Sequence, residues 1–271
     1  MRNKWISGPY LVWMALFIII PLFLTGYYAF TDTDGAFTMA GFSRAFEPMY
    51  LSVLLNSIRI AAISTAICLL LGYPVAYILS RPEFAGKSTL FFLFAVPMWM
   101  NYLLRTYSWM SILETNGILN SLLAFLRLPK IDILYTDSAV ILGMVYNFLP
   151  FMILPIHTAL AKIDYSLVES AQDLGANPVT VFKRVVLPLS VPGVVSGITM
   201  VFMPAVTTFI IPSLLGGGQY MLIGNLIENQ FLTAYDWNFG AALSLILMAV
   251  IILSMMIVLR VDKDNEGGTL I

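Results

Sequence analysis

Long stretches without a charged residue recur along this chain, and they restrict its possible folds more than any other feature. Residues 5–31, 138–161 and 239–259 contain no Asp, Glu, Lys or Arg. A helix that crosses the hydrocarbon core of a bilayer needs about 20 mainly apolar residues. Only 11% of the residues are charged, whereas soluble domains average about 25%. The sequence therefore predicts an all-α, polytopic membrane protein.

About six segments are predicted to span the membrane and to form a single domain over residues 1–271. They are residues 5–31, 60–80, 88–104, 138–161, about 190–211 and 239–259. The apolar core of a cleaved signal peptide is about 7–15 residues long, so we expect the first segment to stay in the mature protein.

The boundaries of these spans carry further expectations. We expect the third span to extend through Trp109, and Arg260 to end the sixth. Residues 116–126 are apolar but too short to cross, so they predict an amphipathic helix on the outer surface. Pro212 and the following glycines are expected to end the fifth span, which leaves residues 219–232 as a loop or an interfacial segment.

The basic residues predict the orientation of the chain, because Lys and Arg collect in short cytoplasmic loops. With the N-terminus inside, nine of them fall on the cytoplasmic side and five outside. Both termini are therefore expected to face the cytoplasm, together with the loop at residues 162–188. The formal net charge is −1, which does not favour binding to nucleic acid.

Residues that could carry catalysis or hold a metal are scarce. The chain has one cysteine, Cys68, and one histidine, His157, so a metal site has little support. Gly86-Lys87-Ser88 matches the end of a phosphate-binding loop, but the first glycine of that motif would fall at Arg81. No nucleophile and base stand at a meaningful spacing. We therefore expect neither an enzyme nor a cofactor bound by this chain.

The loop at residues 162–188 contains start and stop signals for two short helices. Ser166 followed by Glu169 predicts a capping box, and Gly175 is expected to close the first helix in a left-handed conformation. Asn177 is expected to cap a second helix that Pro188 ends. The two helices would share an apolar face, which can lie on lipid headgroups or fit a groove in a soluble partner.

The spacing within this loop resembles the EAA loop of permeases in ATP-binding cassette (ABC) importers. That motif reads Glu-Ala-Ala, three residues, Gly, nine residues, Ile, one residue, Leu-Pro, and this chain departs from it at Ser170 and Val185. The resemblance implies a type I importer permease fold and an ATPase-coupling role for the loop. The matching positions are Glu169, Ser170, Ala171, Gly175, Val185, Leu187 and Pro188.

Three further segments, at residues 71–74, 222–225 and 236–242, resemble permeases for spermidine and putrescine. This resemblance implies a bacterial inner-membrane subunit that carries polyamines by alternating access. It also implies partner ATPase subunits that hold ATP and Mg, a second homologous permease, and an extracytoplasmic substrate-binding protein. Two alternatives stay open, namely an ABC permease for another small organic solute and an ion-coupled secondary transporter.

The fifth predicted span is expected to line the substrate pathway, because Gly193 and Gly197 permit close helix contact. The alternative is that both glycines only pack helices within this chain. Carboxylates and aromatic rings near the outer boundary, Glu228 included, suit an alkylammonium substrate through ion pairing and cation–π contact, although they also suit an interfacial aromatic belt. Our candidates for the pathway or the substrate site are Trp99, Tyr107, Glu114, Tyr146, Asp236 and Trp237.

Overall fold

The computed structural model describes residues 8–81, 96–218 and 220–266, and its regular elements in these ranges are helices. The all-α prediction is therefore confirmed. In chain order the elements are α1 (Gly8–Met14, a π-helical turn Ala15–Ile19 and Ile20–Ala29), α2 (Ala40–Ala45), α3 (Pro48–Leu79), a 3-10 turn (Val96–Trp99), α4 (Tyr102–Leu113), α5 (Ile118–Phe125), α6 (Asp137–Leu160), α7 (Tyr165–Asp173), α8 (Pro178–Val181, a π-helical turn Phe182–Val186 and Leu187–Thr207), α9 (Ile210–Leu215), α10 (Ile223–Leu232) and α11 (Trp237–Glu266).

Five described helices, α1, α3, α6, α8 and α11, are long and apolar enough to cross a membrane. The third predicted span covers residues 88–104, and its first part, residues 88–95, lies outside the described residues. The described residues after 95 do not form one continuous helix. Asn101 leaves helical geometry (φ −56°, ψ 129°) and caps α4 by accepting a hydrogen bond from the Leu103 amide at 2.8 Å. The expected continuous extension through Trp109 is therefore wrong.

The helix α3 begins at Pro48, well before the predicted start of the second span at residue 60. Proline suits the first turn of a helix, where its missing N–H has no partner to lose. Arg59 therefore lies inside this helix instead of preceding it. Its guanidinium pairs with Asp137 at the start of α6, with 2.6 Å between Nη2 and Oδ2. Arg59 therefore marks a contact between two helices and not the end of a helix.

The helix α8 continues through Pro188, which we had expected to end the second helix of the loop. A proline inside a regular α-helix clashes with the carbonyl four residues earlier, here that of Arg184. The π-helical turn Phe182–Val186 lies immediately before the proline and widens the backbone there. The same arrangement occurs in α1, where the π-helical turn Ala15–Ile19 precedes Pro21.

The chain after α8 differs from the expected pattern in two places. Thr208 takes an extended conformation (φ −64°, ψ 138°) and ends the helix, whereas Pro212 lies inside the short helix α9. Residues 219–232 were expected to form a loop or an interfacial segment, but they include the helix α10 with Ile223 buried. Finally, α11 runs on past Arg260, because a charge can end a membrane span without ending its helix.

The helices α3, α6 and α8 pack against one another and form the main core, while α11 packs against α1 and α10. Gly193 and Gly197 lie where α8 meets α6. A Cβ atom on Gly193 would stand 2.5 Å from the Cβ of Ala159, and one on Gly197 would stand 2.7 Å from the Sδ of Met152. The two glycines therefore serve helix packing within this chain.

Candidate functional site

The helix α7 begins at an Asp cap that the sequence reasoning missed. Asp164 accepts a hydrogen bond from the Ser166 amide at 3.0 Å and acts as the N-cap. Hydrogen bonds from the amide and the hydroxyl of Ser166 lower the pKa of Asp164. The expected capping box between Ser166 and Glu169 is therefore wrong, because Asp164 already supplies the cap two residues earlier. Both Asp and Ser can act as an N-cap, because their side-chain oxygens accept hydrogen bonds from the unpaired amides of the first helical turn.

Gly175 closes the end of α7 in a left-handed conformation, as predicted. Gly175 has a φ of +80°, and its amide donates to the carbonyl of Gln172 at 2.8 Å. The amide of Ala176 donates to the carbonyl of Ala171 at 3.1 Å. This pair of bonds is a Schellman motif, which requires a left-handed residue at the position of Gly175. No atom lies within 4 Å of a Cβ built on Gly175, so only the backbone conformation favours glycine there.

The turn out of Gly175 leads directly into α8. The side chain of Asn177 accepts a hydrogen bond from the Thr180 amide at 2.8 Å, and Pro178 occupies the first helical position. Both features were predicted. Because α8 then continues without a break to Thr207, the second half of the loop is the N-terminal part of a helix long and apolar enough to cross a membrane. After the role that the resemblance implies, we call residues 162–188 the coupling loop.

The apolar side chains of the coupling loop divide into two sets. One set packs against the core of the chain and consists of Ile163, Val168, Ala171, Ala176, Val181, Phe182, Val185 and Val186. The other set is exposed and includes Leu167, Leu174, Val179 and Leu187. Leu174 is 89% exposed. The packed set fixes the loop to the chain, and the exposed set leaves an apolar surface on the loop.

Phe182 in the π-helical turn connects the coupling loop to α3. Its ring meets the rings of Tyr73 and Tyr77 edge to face, with centroids 5.8 Å and 5.5 Å away. The hydroxyl oxygens of Tyr73 and Ser190 lie 2.8 Å apart. Edge-to-face aromatic pairs are favourable, and a buried hydroxyl pair fixes the register between two helices.

The seven positions of the EAA-like motif lie on one continuous segment, and most of them are exposed. Ala171 and Val185 are half-buried, whereas the exposed positions are Glu169, Ser170, Gly175, Leu187 and Pro188. The segment therefore combines a rigid attachment, an exposed carboxylate and exposed apolar side chains. These properties suit a protein-docking surface.

A family of transport proteins, described as "Binding-protein-dependent transport system inner membrane component", matches residues 1–264 of the sequence. The chain belongs to this family. It is therefore a multi-pass inner-membrane permease subunit of an ABC importer that works with a substrate-binding protein. It is not itself an enzyme, because ATP hydrolysis in these importers belongs to a separate subunit.

Several curated relatives of the permease cover nearly its whole length. "Spermidine/putrescine transport system permease protein PotB" of Escherichia coli (strain K12) is 39% identical over 93% of this chain and 94% of its own. The protein of the same name from Haemophilus influenzae is 40% identical over 93% of this chain and 91% of its own. "Inner membrane ABC transporter permease protein YdcU" of Escherichia coli is 32% identical over 93% of this chain and 87% of its own.

Solved ABC importers share the fold of the permease. A bacterial transporter involved in the import of alginate superposes with a TM-score of 0.81 at 17% identity, over 99% of this chain and 97% of that chain. The methionine transporter MetNI superposes with a TM-score of 0.56 at 15% identity, over 82% of this chain and 99% of that chain. The expected fold of an importer permease is thereby confirmed.

Among the candidate substrate residues, Asp236 has both carboxylate oxygens engaged within the permease. Oδ2 pairs with Nη1 of Arg44 at 2.8 Å, and Oδ1 accepts the Phe239 amide at 3.1 Å and so caps α11. The Arg44 guanidinium also lies 4.1 Å from the centroid of the Phe239 ring. Its hydrogen bonds with Tyr50 and Asp236 raise the pKa of Arg44 against the opposing effect of burial. Asp236 thus fixes the N-terminal end of α11 to α2.

The other candidates form two separate groups among the described residues. Trp237 meets the rings of Tyr28 and Phe231, with centroids 5.8 Å and 6.1 Å away. Tyr146 meets Trp109 at 5.3 Å on the face between α6 and α4. The remaining three are exposed along α4 and its flanks, namely Trp99, Tyr107 and Glu114. No described contact joins this second group to Asp236 or Trp237.

Proposed function

We propose that this permease imports polyamines of the spermidine and putrescine class. The observation that carries the proposal is the 39–40% identity to spermidine/putrescine permeases over 93% of the chain. The outer half of the permease also carries carboxylates and exposed aromatic rings, which suit linear alkylammonium ions. Permeases for other solutes, such as the putative 2-aminoethylphosphonate permease PhnU, are only 30% identical.

The coupling loop is the element through which ATP hydrolysis drives transport in this proposal. Glu169, Gly175 and the exposed leucines would seat in a cleft of a partner ATPase that holds ATP and Mg. Because α7 is fixed by caps at both ends and α8 is continuous into the membrane, movement of the ATPase would be transmitted as a rigid displacement of α8. A flexible connector would absorb the same movement.

The assembly that we propose contains two ATPase subunits, this permease, a second homologous permease and a substrate-binding protein outside. Both termini and the coupling loop face the cytoplasm. The pathway forms between the two permeases, and Trp99, Tyr107, Glu114, Tyr146, Asp236 and Trp237 stay candidates for lining it or for docking the binding protein. Alternating access then moves the substrate from the binding protein to the cytoplasm.

The test measures uptake of labelled spermidine by cells that lack the chromosomal gene for this permease. It compares cells that carry the gene on a plasmid with cells that carry the empty plasmid. We expect saturable uptake only with the plasmid, inhibited by excess unlabelled putrescine and not by 2-aminoethylphosphonate. Uptake that is equal with and without the plasmid, or inhibition by the phosphonate alone, would overturn the polyamine assignment. The ABC permease assignment does not depend on this result.

A further inference from the structure

The carboxylate of Glu228 lies between two cavities on the side of the permease where α8 ends. One cavity of about 550 Å³ is mainly apolar and lies between the end of α8, α10 and α11. The second, of about 340 Å³, is more polar and lies between α9 and α10. Glu228 and Leu232 line both cavities. Within the described residues, no hydrogen bond or ion pair engages the Glu228 carboxylate.

The position of Glu228 along the fold places it at membrane depth. Phe231 packs on Gly240 near the outer end of α11, because a Cβ on that glycine would stand 3.1 Å from the phenyl Cε2. Glu228 is about one turn before Phe231 in α10, and its apolar cavity extends along α11 from Ser244 to Ile252. At about 1.5 Å per residue, these positions lie about 10 to 22 Å from the start of α11.

An unpaired carboxylate at this depth is costly in lipid, and such residues face a cavity, a partner or a substrate. The other described acidic residues of the proposed outer side differ from it, namely Asp32, Asp34, Glu47, Glu114, Asp132, Asp137 and Asp236. Asp137 and Asp236 are paired with arginines, while the other five are exposed. Glu228 is half-buried and unpaired.

Backbone carbonyl groups add to the negative character of the site. The helix α8 ends at Thr207, and a Cβ on Gly224 would stand 2.6 Å from the carbonyl oxygen of Thr207 and 2.9 Å from that of Thr208. Gly224 is one helical turn before Glu228 on the same face of α10. The C-terminal end of a helix carries a partial negative charge, which favours a cation.

We propose that Glu228 and the end of α8 form a cation subsite, in which one ammonium group of a linear alkylammonium substrate pairs with the Glu228 carboxylate. The methylene chain then lies in the apolar cavity beside Leu247 and Ile251, and the carbonyl oxygens of Thr207 and Thr208 accept from the same ammonium group. Such a substrate matches this arrangement, because its ammonium group can pair with the carboxylate while its methylene groups occupy the apolar cavity. This inference rests on the proposed polyamine function and names the residue that selects its substrate class.

The test uses the complete importer in proteoliposomes, with spermidine delivered by its binding protein. We expect Glu228→Gln to lower spermidine uptake per ATP hydrolysed about tenfold to a hundredfold, as for the loss of one charged hydrogen bond. Hydrolysis stimulated by the loaded binding protein should stay near the wild-type rate, because docking and the coupling loop are untouched. Glu228→Asp should recover part of the uptake, and Glu47→Gln is the matched control for an exposed outer carboxylate.

A second measurement detects occupancy of the site. The only native cysteine, Cys68, is buried, so Leu232→Cys in a Cys68→Ser background provides a single reactive thiol beside Glu228. Spermidine in the reconstituted complex should slow labelling of this thiol by a positively charged reagent, and addition of Glu228→Gln should remove that protection.

The outcomes separate the subsite from the transport function. If the wild-type importer does not take up spermidine, the polyamine function fails. If it does, and Glu228→Gln matches Glu47→Gln in uptake and protection, the subsite is overturned and the function stands. If Glu228→Gln and Glu228→Asp both abolish assembly, the carboxylate is structural and the subsite is also overturned.

Discussion

The hydroxyl groups of Tyr73 on α3 and Ser190 on α8 lie 2.8 Å apart and form a hydrogen bond between the two helices. Ser190 also donates to the carbonyl of Leu187 at 2.9 Å, so Tyr73 is the donor to Ser190. This pair stands just beyond the coupling loop, where α8 enters the membrane. Any movement of the loop must therefore either carry α3 with it or break this contact.

The Tyr73 hydroxyl gives the first prediction. We expect Tyr73→Phe to destabilise the assembled importer by about 0.6 kcal/mol, a typical value for an interhelical hydrogen bond in a membrane protein. Transport should fall more than ATP hydrolysis, because α3 would follow α8 less tightly. Tyr77→Phe is the matched control, since its ring packs on the same Phe182 and its hydroxyl has no described hydrogen bond. Thermal unfolding in detergent and uptake per ATP are the measurements, and equal effects of both variants would contradict the assignment.

The packing of α8 on α6 gives the second prediction. Gly193→Val should destabilise the fold by about 1–3 kcal/mol or more, the usual range for overpacking, because the added Cβ would stand 2.8 Å from the carbonyl oxygen of Pro155. Gly26→Val on α1 is the control, since no atom lies within 4 Å of a Cβ there. Membrane abundance measured by immunoblot should fall for the first variant only. Normal abundance of Gly193→Val would show that α8 and α6 can separate.

Local chemistry explains which features could be predicted from the sequence. Gly175 and Asn177 act on hydrogen bonds within three to five residues of themselves, so their roles follow from the sequence pattern alone. The limits of α6 were also predicted to within a residue, because an uninterrupted apolar run coincides with one helix. The EAA-like spacing identified the family for the same reason, since all of its positions belong to one segment.

Distant contacts explain what could not be predicted. Arg59 was expected to precede a helix because its partner, Asp137, is far away in sequence. Pro188 was expected to stop a helix because the π-helical turn that accommodates it has no established sequence signal. The unpaired state of Glu228 is likewise invisible without the positions of α8 and α11. Candidate substrate residues were therefore harder to select than the coupling loop.

The cap of α7 gives the third prediction, with a defined pH dependence. A lowered pKa means that the Asp164 carboxylate stabilises the folded loop above the ordinary pKa of Asp, and that this stabilisation is lost as the pH falls through the lowered pKa. In the wild type, acidification should therefore speed amide hydrogen exchange in α7. Asp164→Ala should speed this exchange already at neutral pH and should abolish its dependence on acidification. Asp164→Asn should retain most of the protection, because Asn is also a good N-cap. Identical exchange in all three proteins would show that the cap does not hold the helix.

The distribution of basic residues gives the fourth prediction. We expect epitope tags at Met1 and Ile271 both to resist protease added outside sealed spheroplasts, and a tag inserted after Ala234 in the exposed turn before α11 to be cleaved. Disruption of the spheroplasts should expose the terminal tags to digestion. Cleavage of either terminal tag in intact spheroplasts would contradict the proposed orientation and would move the coupling loop to the wrong side for an ATPase.

The coupling loop gives the last prediction, which concerns Gly175. A residue with a Cβ is disfavoured at the φ of +80° by about 1 kcal/mol, and the bulk of a branched side chain would extend into the open space around this glycine. We expect Gly175→Val to reach the membrane in normal amounts, to lose ATPase co-purification or substrate-stimulated hydrolysis, and to abolish uptake. Glu169→Lys should have the same effect by reversing the exposed charge.

The control for this prediction is Gly175→Asn, because Asn tolerates the left-handed conformation better than other residues with a side chain. It should retain more ATPase binding than Gly175→Val if the conformation of the turn is what matters. If Asn and Val are equally damaging, the ATPase packs directly on the open space at Gly175, and steric exclusion is the cause. Normal abundance, ATPase binding and uptake in both Gly175→Val and Glu169→Lys would show that this loop does not couple hydrolysis to transport.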